Sequence, residues 1–472
     1  MRVLLMAMPD VATSFDRVMR MPNLGLASLA ANVEGAEVRV LDLVLRPRAV
    51  GRAVRQALLE WQPHLVGLSA MTFQYHTAKE VAAIVRQVLP AARTVLGGYH
   101  ATLAADQIAA DPGAHVFDFL VRGEGEQALN LLVRALREGG DLAGVPGLSY
   151  RLTDGAFTHN PRGPDLDLAD IRPPAREVRL ATGFTYFGRP FDVVETSRGC
   201  TRTCRFCSIR HMYTSHRQYP LARVLADIHS CAEAGAEGVF FVDDNLNLDP
   251  ARVLDLCEGI VVSRLNHLEY ITQADVTGFL QAPKLPAAMR RAGFGGVFLG
   301  IESVAPGNRR FLRKGNTLEH TAGVVRSLRE QGIAVAGGFI VGNPDEGAAE
   351  VRAAFHTART LGLDHAIMWC LTPYPGTEIR EELLAEGLVV NPDDYRWYNG
   401  FICNVRTRRL SHRRLVQLMA GQGLALYFHP GFLFHQRLWG HRAGSVLPYL
   451  QASLEYLTRG FRNRLYASRH RM

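Results

Sequence analysis

The chain has 472 residues, of which 47% are hydrophobic and 21% charged, and this ordinary globular composition excludes a disordered or fibrous protein. Its length exceeds what one hydrophobic core usually supports, so two domains and a smaller appendage are expected. The cysteines are sparse, with three clustered and the other four scattered, which does not suit a disulfide framework. No apolar run approaches the roughly 18–20 residues of a membrane helix. The amino terminus enters a strand-like stretch, and together these features predict a cytoplasmic protein.

Residues 2–138 alternate short apolar runs with amphipathic stretches. The predicted strands lie near 2–7, 37–41, 64–69, 92–97 and 116–121, and the predicted helices near 22–33, 49–61, 76–89, 102–111 and 125–138. Five such units indicate an α/β fold, with a doubly wound, Rossmann-like parallel sheet of flavodoxin-type strand order. We place this domain at residues 1–140.

The loops after three of these strands are rich in small residues. Ligands of doubly wound sheets bind beyond the carboxyl ends of the strands, where small residues let a bulky ligand approach the backbone. The candidates are Ser69, Met71 and Thr72 after the third strand, Gly97, Gly98 and His100 after the fourth, and Gly123, Glu124 and Gly125 after the fifth. Alternatively, the glycines only make the tight turns of any α/β domain.

Residues 141–190 hold several prolines and show no sustained periodicity, which predicts a linker with one small hairpin near 148–159. Strand and helix patterns alternate again over 191–385. The predicted strands here are 191–196, 238–242, 270–274, 296–302, 335–341 and 365–371. A second α/β domain is therefore expected after the linker.

The loop after the first of these strands contains Cys200, Cys204 and Cys207 in the spacing C-x3-C-x2-C. Thiolates suit iron–sulfur clusters and zinc, and three of them in a short loop can surround a cuboidal cluster while leaving one iron uncovered. Two alternatives stay open. His211 could complete a zinc site, or the three residues could be buried free thiols.

With Phe206 directly before the last cysteine, this motif resembles the signature of the radical S-adenosylmethionine (SAM) enzymes. The resemblance implies that the cysteines bind a 4Fe–4S cluster whose open iron chelates SAM, and that one electron from the cluster yields a 5′-deoxyadenosyl radical. It also implies a partial (β/α)6 barrel, which six strands with intervening helices fit. A reductant such as flavodoxin or ferredoxin is an implied partner.

Polar residues at the carboxyl ends of barrel strands face the chemistry. In this sequence, the polar residues at the ends of the predicted strands are Asp243, Asp244, Gln273 and Glu302. Carboxylates there can accept hydrogen bonds from the ribose hydroxyls and ammonium of SAM, and the resemblance implies that 243–245 and 300–303 line the SAM pocket together with Phe206. It further implies that the strand with Gly338 and Ile340 presents its backbone to the adenine. Each acid could instead cap a helix or form a salt bridge.

Upstream of this motif, residues 1–140 resemble the cobalamin-binding domain of the B12-dependent radical SAM family. The resemblance covers Leu-Gly-Gly-Tyr-His after the fourth strand and Val-Arg-Gly-Glu-Gly-Glu after the fifth, and it implies that the loop candidates above bind cobalamin. The loop 9–16 lacks the histidine of the older D-x-H-x-x-G pattern, so the lower face of the corrin is predicted not to be His-ligated. His100 better suits a hydrogen bond to the corrin tail or to backbone.

Cys370 and Tyr374 lie at and after the sixth predicted strand of the barrel. A similar loop in the resembled family lies near substrate, which makes the two residues candidate proton or hydrogen donors. The alternative is a buried cysteine and a packed tyrosine.

Residues 386–472 are predicted to be mainly helical, with Ser411 as a helix cap. Leu447, Leu450, Leu454, Leu457 and Phe461 repeat at helical spacing. Residues 405–472 carry twelve arginines, no lysine and one acid, for a charge of +11 within the overall +8. Their neighbours include Phe428, Phe432, Phe434, Trp439 and Tyr466. This segment would suit an anionic membrane surface or an acidic substrate, or it is simply a solvated basic face.

The leading hypothesis is a B12-dependent radical SAM enzyme that methylates an unactivated carbon of a small-molecule or lipid-like substrate through methylcobalamin. One alternative is oxidative cyclisation or rearrangement with the same cofactors, as in the anaerobic tetrapyrrole cyclase. Another is a non-catalytic iron–sulfur or zinc protein that serves as a sensor or scaffold. No nucleic-acid partner is expected.

Overall fold

The structure is a computed structural model that describes residues 1–9, 19–153 and 155–429. The chain forms two compact units, Met1–Tyr186 with Ser208–Arg223, and Phe187–Cys207 with the residues from Val224 onward. No helix in the described part of the chain combines the length and the hydrophobicity that crossing a bilayer requires.

The strands follow one another along both units. They are β1 (Arg2–Ala7), β2 (Met19–Arg20), β3 (Glu37–Asp42), β4 (Leu65–Ser69), β5 (Arg93–Gly97), β6 (Phe119–Val121), β7 (Leu148–Arg151), β8 (Phe157–His159), β9 (Thr185–Tyr186), β10 (Arg189–Val194), β11 (Ser197–Arg198), β12 (Arg217–Gln218), β13 (Gly238–Phe241), β14 (Glu269–Ala274), β15 (Phe294–Glu302), β16 (Ala334–Val341) and β17 (His365–Cys370).

The helices lie between and after these strands. They are α1 (Leu24–Asn32), α2 (Val50–Trp61), α3 (Tyr75–Val88), α4 (Tyr99–Leu103), α5 (Ala105–Ala110), α6 (Gly125–Glu138), α7 (Ile209–Met212), α8 (Leu221–Glu233), α9 (Pro250–Val262), α10 (Val276–Gln281), α11 (Leu285–Ala292), α12 (Pro306–Leu312), α13 (Leu318–Glu330), α14 (Ala348–Thr360), α15 (Glu378–Ala385) and α16 (His412–Tyr427).

The first unit contains a sheet of order β3-β1-β4-β5-β6-β7-β8, in which the first five strands are parallel. This is the predicted doubly wound, flavodoxin-type order. Both faces of such a sheet are covered by helices, so its inner strands are mostly apolar. In β1, Leu4 and Met6 enter one hydrophobic core while Val3 and Leu5 enter the other.

The predicted hairpin near 148–159 is confirmed, and it belongs to the first sheet. Leu148 of β7 pairs antiparallel with Val121 of β6. The side chain of Asn160 then donates to the carbonyls of Leu142 and Val145 at 2.7 and 2.9 Å, which fixes the chain before and after the hairpin. The predicted linker 141–190 is therefore in part structural, because its backbone completes the edge of this sheet.

The second unit contains six parallel strands in sequential order, β10-β13-β14-β15-β16-β17, with helices between them. This confirms the six predicted strands and their partial-barrel order. One face, here called the outer face, carries Phe241, Leu299 and Phe339, all 0% exposed. Residues in register on neighbouring parallel strands point to the same side, so Gln273 and Phe298 share the opposite, inner face.

Beyond the barrel, Ser411 caps the amino terminus of α16, as predicted, and its side chain accepts a hydrogen bond from the Arg414 backbone N–H. The helix packs against α14, and the Tyr427 hydroxyl donates to the carbonyl of Ala366 at 2.8 Å. Phe428 is exposed just after it. Other predicted features of the tail lie outside the described residues: Phe432, Phe434, Trp439, Tyr466 and the apolar repeat 447–461.

Candidate active site

Two neighbouring acids at the end of β13 shape the entry to the cysteine loop. Asp243 is 0% exposed and accepts hydrogen bonds from the Thr196 and Ser197 hydroxyls, each at 2.6 Å, and from the Thr196 backbone. Asp244 accepts one from the backbone N–H of Gly199 at 3.0 Å. Gly199 has a φ of 84°, which a residue with a side chain adopts only with strain.

Burial raises the pKa of both acids, to about 6 for Asp243 and to about 7 for Asp244, where the nearby Glu195 carboxylate adds to the effect. The two differ in their partners. Asp243 accepts several hydrogen bonds from the loop, and these bonds fix the position of the loop. Asp244 receives one backbone donor among the described residues and keeps capacity to accept others.

Cys200, Cys204 and Cys207 lie half-buried on this loop and form no disulfide. The backbone N–H of Cys207 donates to the carbonyl of Cys204 at 3.2 Å, so the second and third cysteines share one tight turn. Burial raises the pKa of the Cys200 and Cys204 thiols, and the Lys314 ammonium opposes this shift at Cys204. Since a metal-bound sulfur must be deprotonated, metal binding here would release protons.

The zinc alternative required His211 to join the three thiols around one ion. Among residues 1–9, 19–153 and 155–429, no three His, Cys, Asp or Glu side chains converge as a single metal ion demands. A cuboidal cluster has a different requirement, because each cysteine binds a separate iron. The three half-buried thiols on one loop therefore suit a cluster better than a closed zinc site.

An ion pair beside the loop involves a residue that the sequence reasoning missed. Nζ of Lys314 lies 3.3 Å from Oε1 of Glu302, and the two side chains are 14% and 13% exposed. Burial raises the pKa of Glu302 and would lower that of Lys314, but Glu302 and Cys204 together raise the pKa of Lys314. The available signal was its rarity, since Lys314 is one of three lysines among 53 basic residues.

Gly300 makes room for this pair. A Cβ at Gly300 would lie 2.7 Å from Oε1 of Glu302 and 3.3 Å from Nζ of Lys314. The pairing between β15 and β16 shifts register between Gly300 and Glu302, and Glu302 itself has a φ of 63°. Left-handed backbone at a residue with a side chain is strained and concentrates at functional sites.

The inner face gathers several of the predicted SAM residues. Gln273 is in register with Phe298, and a Cβ at Gly338 would meet the ring of Phe298 at 2.5 Å, so Gly338 lies on the same face. Ile340 follows two residues later and therefore shares it. Trp369, in register with Ile340, was missed although the two-residue period of a strand places it there. Phe206 is half-buried in the cysteine loop.

Cys370 lies on the outer face, because it is in register with the fully buried Val341. Its Sγ contacts the carbonyl of Phe401 at 3.5 Å and Sδ of Met419 at 3.4 Å. Tyr374 is half-buried, with its ring 6.4 Å from that of Tyr398, and burial raises its pKa. These surroundings match the alternative of a buried cysteine and a packed tyrosine.

In the first unit, most of the candidate glycines have a local explanation. Gly98 has a φ of 88°, and a Cβ there would lie 3.0 Å from the Ala70 carbonyl. At Gly123, with a φ of 81°, a Cβ would meet the Arg162 guanidinium, and at Gly125 it would meet Leu29. Gly97 differs, since its Cβ would find its first neighbour at 3.9 Å. Gly97 is thus where a missing side chain leaves space.

The other first-unit candidates divide between core and edge. Thr72 is buried, Ser69 is half-buried and Met71 is 43% exposed at the end of β4. His100 is 0% exposed with its ring 4.4 Å from that of Tyr75, and burial followed by the charge of Lys79 lowers its pKa to about 3. The His100 ring therefore lies in the core of the first unit, in surroundings that favour its neutral form.

Glu124 has an internal role in the first unit. Its carboxylate pairs with Arg217 at 2.9 Å and accepts a hydrogen bond from the Leu166 backbone at 2.8 Å. Arg162 donates to the carbonyls of His211 and Met212, both at 2.6 Å. These contacts hold the segment Ser208–Arg223 in the first unit, directly after the last cysteine.

Two family models match the sequence in the regions just described. The B12 binding domain matches residues 15–133, and the radical SAM superfamily matches residues 194–358.

Known proteins are similar to this chain along most of its length. An uncharacterized methyltransferase of Pyrococcus horikoshii is 29% identical over 91% of this chain and 93% of its own. The anaerobic magnesium-protoporphyrin IX monomethyl ester cyclase of Rubrivivax gelatinosus is 29% identical over 73% of this chain and 62% of its own. The solved radical SAM methyltransferase TsrM of Kitasatospora setae, with cobalamin and a 4Fe–4S cluster bound, shares the fold with a TM-score of 0.74 at 20% identity, covering 98% of this chain and 99% of that one.

Proposed function

Because the chain belongs to the cobalamin-dependent radical SAM enzymes, with a B12-binding domain before a radical SAM domain, we propose that it methylates an unactivated carbon of a small-molecule or lipid-like substrate. When bound, the cluster and SAM supply a 5′-deoxyadenosyl radical, and cobalamin supplies a transferable methyl group. The observation that carries the proposal is the loop that holds three half-buried cysteines beside the buried Glu302–Lys314 pair.

In this proposal, each group of residues has one task. Cys200, Cys204 and Cys207 hold the cluster, and Asp243 fixes the loop that carries them. The ribose hydroxyls and the ammonium of SAM would donate hydrogen bonds to Asp244, Gln273 and Glu302. The ammonium of Lys314 would pair with the carboxylate of SAM. Gly338 and Ile340 offer backbone to the adenine. The arrangement supplies the opposite charges that an amino-acid group needs.

The edge of the first sheet is proposed to hold the corrin. Ser69, Met71 and Gly97 supply a small, partly apolar surface there, and the space beside Gly97 supports this assignment. The residues 1–140, 141–190, 191–385 and 386–472 remain our proposed division into corrinoid domain, linker, barrel and carboxyl-terminal region. The hairpin of the first sheet lies within the second of these segments.

The test is SAM cleavage by anaerobically reconstituted full-length protein with dithionite or reduced flavodoxin as the electron donor. We expect iron, sulfide and cobalamin to bind, and both 5′-deoxyadenosine and S-adenosylhomocysteine to form. The Cys200, Cys204 and Cys207 triple alanine variant should lose iron and 5′-deoxyadenosine, whereas alanine at Cys231 and Cys257, which are buried in helices, should not. Zinc without iron in the wild-type protein would contradict the proposal and favour a sensor or scaffold.

The similarity to the cyclase supports an alternative reaction, which is oxidative cyclisation or rearrangement with the same cofactors. Incubation with methyl-labelled SAM and candidate substrates separates the two. A product heavier by one labelled methyl group supports methylation. A product that has lost hydrogens and carries no label supports cyclisation.

A contact with anionic membranes is proposed for the basic carboxyl-terminal residues, since arginine beside aromatic residues binds anionic headgroups. Residues 430–472 alone hold seven arginines and one acid. The same charge would also favour an acidic substrate.

A further inference from the structure

Arg205 lies between the second and third cysteines, and its side chain is 14% exposed. Its Nε donates to Oε1 of Glu378 at 2.9 Å, and a second guanidinium nitrogen pairs with Glu382. The two acids are four residues apart on α15, so they lie on the same face of that helix. One arginine thus uses its planar fork to bridge two carboxylates on a single helix.

Further contacts hold the same residue on its other side. The Arg205 guanidinium lies 4.8 Å from the centre of the Phe311 ring, and the Arg205 backbone N–H donates to the carbonyl of Leu312 at 3.4 Å. Both belong to α12. Arg313, just after α12, donates to Glu378 at 2.9 Å, so the acid pair also fixes the end of this helix. The cysteine loop is therefore tied to two helices through one side chain.

We propose that Arg205 is a positioning residue that fixes Cys204 and Cys207 by locking the cysteine loop to Glu378 and Glu382 of α15. The inference deepens the proposed function and depends on it for its meaning. Helix α15 directly follows the loop 371–377. The ion pairs of Arg205 with α15 therefore also connect the segment that carries Tyr374 to the cysteine loop. Ion pairs between exposed side chains contribute little to stability, and Glu378 and Glu382 are 50% and 33% exposed. The Arg205 side chain is 14% exposed, however, and its planar fork engages both acids at once, which constrains its geometry.

A matched control exists at the other end of the barrel. Arg189, at the start of β10, also bridges two acids, Glu237 at 2.9 Å and Glu269. Replacing it removes the same number of ion pairs, but at the amino-terminal end of the strands, where residues serve stability rather than chemistry. Arg189→Met therefore controls for a general loss of stability.

The first experiment measures the loop in iron-free protein. We expect Cys204 and Cys207 of full-length Arg205→Met to react with iodoacetamide at least several-fold faster than in the wild type, as followed by mass spectrometry. Arg189→Met should react at the wild-type rate. Exchange of the charges in Arg205→Glu with Glu382→Arg should recover most of the protection. An unchanged rate in Arg205→Met would overturn the inference.

The second experiment uses reconstituted protein. Arg205→Met should bind iron but show an altered electron paramagnetic resonance spectrum of the dithionite-reduced cluster and a weaker response to SAM, and Arg205→Lys should restore part of both. Glu382→Gln, which keeps an acceptor, serves if Arg205→Met does not fold. Wild-type spectra in all these variants would overturn the inference. A wild-type protein that assembles no cluster would instead contradict the proposed function, while the labelling rates still decide on the loop.

Discussion

The ammonium of Lys314 lies 3.3 Å from the carboxylate of Glu302 at the carboxyl end of β15, and both side chains are largely buried. Burying two charges is costly, and a buried ion pair is by itself weak evidence for stability. The strained φ of 63° at Glu302 adds a cost of about 1–3 kcal/mol. Strained backbone concentrates at functional sites, which supports the proposed role of this pair in SAM binding.

Replacing Lys314 with methionine should separate the contribution of this pair to stability from its contribution to SAM binding. The change leaves the Glu302 carboxylate buried without its cation, which costs about 3–5 kcal/mol and lowers the thermal midpoint. Adding Glu302→Gln should recover most of the midpoint but not SAM binding, which we expect to stay at least tenfold weaker by equilibrium dialysis. Wild-type SAM affinity in the double variant would contradict a role for the pair in binding.

The two acids of β13 should respond differently to the same substitution. Asp243→Asn places an amide donor against the Thr196 and Ser197 donors, so we expect about 1–3 kcal/mol of destabilisation and poor iron retention after reconstitution. Asp244→Asn still accepts from Gly199 and should retain iron while losing affinity for SAM. Iron analysis and SAM dialysis on both variants check this contrast. Equal behaviour would show that the two carboxylates share one task.

The strand and helix order of both units followed from the sequence because apolar periodicity reports burial directly. The direction of individual side chains did not follow as well. Cys370 stands beside the predicted substrate loop in sequence, yet strand alternation turns it toward Met419 and leaves Trp369 on the inner face. The two-residue period of a strand predicts this arrangement, whereas proximity along the chain does not.

The partners of charged residues were beyond the sequence, because ion pairs join residues far apart along the chain. Glu124 is predicted at a ligand from its loop position, but the sequence does not predict its ion pair with Arg217, ninety-three positions later. Lys314 approaches Glu302 only because Gly300 lacks a side chain and the register shifts there. Residue spacing in the sequence does not predict such a contact.

A side chain at Gly97 should test the corrin surface. A Cβ there finds its first neighbour at 3.9 Å, so Gly97→Val should fold and unfold like the wild type while its branched side chain occupies the edge of the sheet. We expect the cobalamin absorbance retained after desalting to fall several-fold. Gly144→Val, where nothing lies within 4 Å, is the matched control and should retain cobalamin fully. Full retention in Gly97→Val would place the corrin elsewhere.

A deletion that removes the basic tail has to leave α16 intact. Leu415, Val416 and Met419 of this helix are buried, so a deletion starting at residue 405 would damage the second unit as well as remove charge. Deleting 430–472 removes seven arginines and leaves α16 in place. We expect this variant to lose co-sedimentation with vesicles containing anionic lipid at low salt, while neutral vesicles bind neither protein. Equal sedimentation of both proteins would argue against a membrane contact.

His100 should make the first unit sensitive to mild acid. Its folded-state pKa is about 3, whereas an ordinary histidine titrates near 6.5, so below pH 6.5 the unfolded chain binds a proton that the folded chain does not. Stability contributed by the neutral ring is therefore complete above pH 6.5 and falls as the pH drops, by about 2 kcal/mol between pH 6.5 and 5. His100→Gln removes this titration, and calorimetry of full-length protein should show a smaller fall in its thermal midpoint over that interval. His76→Gln, an exposed position on α3, should follow the wild type. Parallel curves for His100→Gln and the wild type would mean that the ring is protonated in the folded protein.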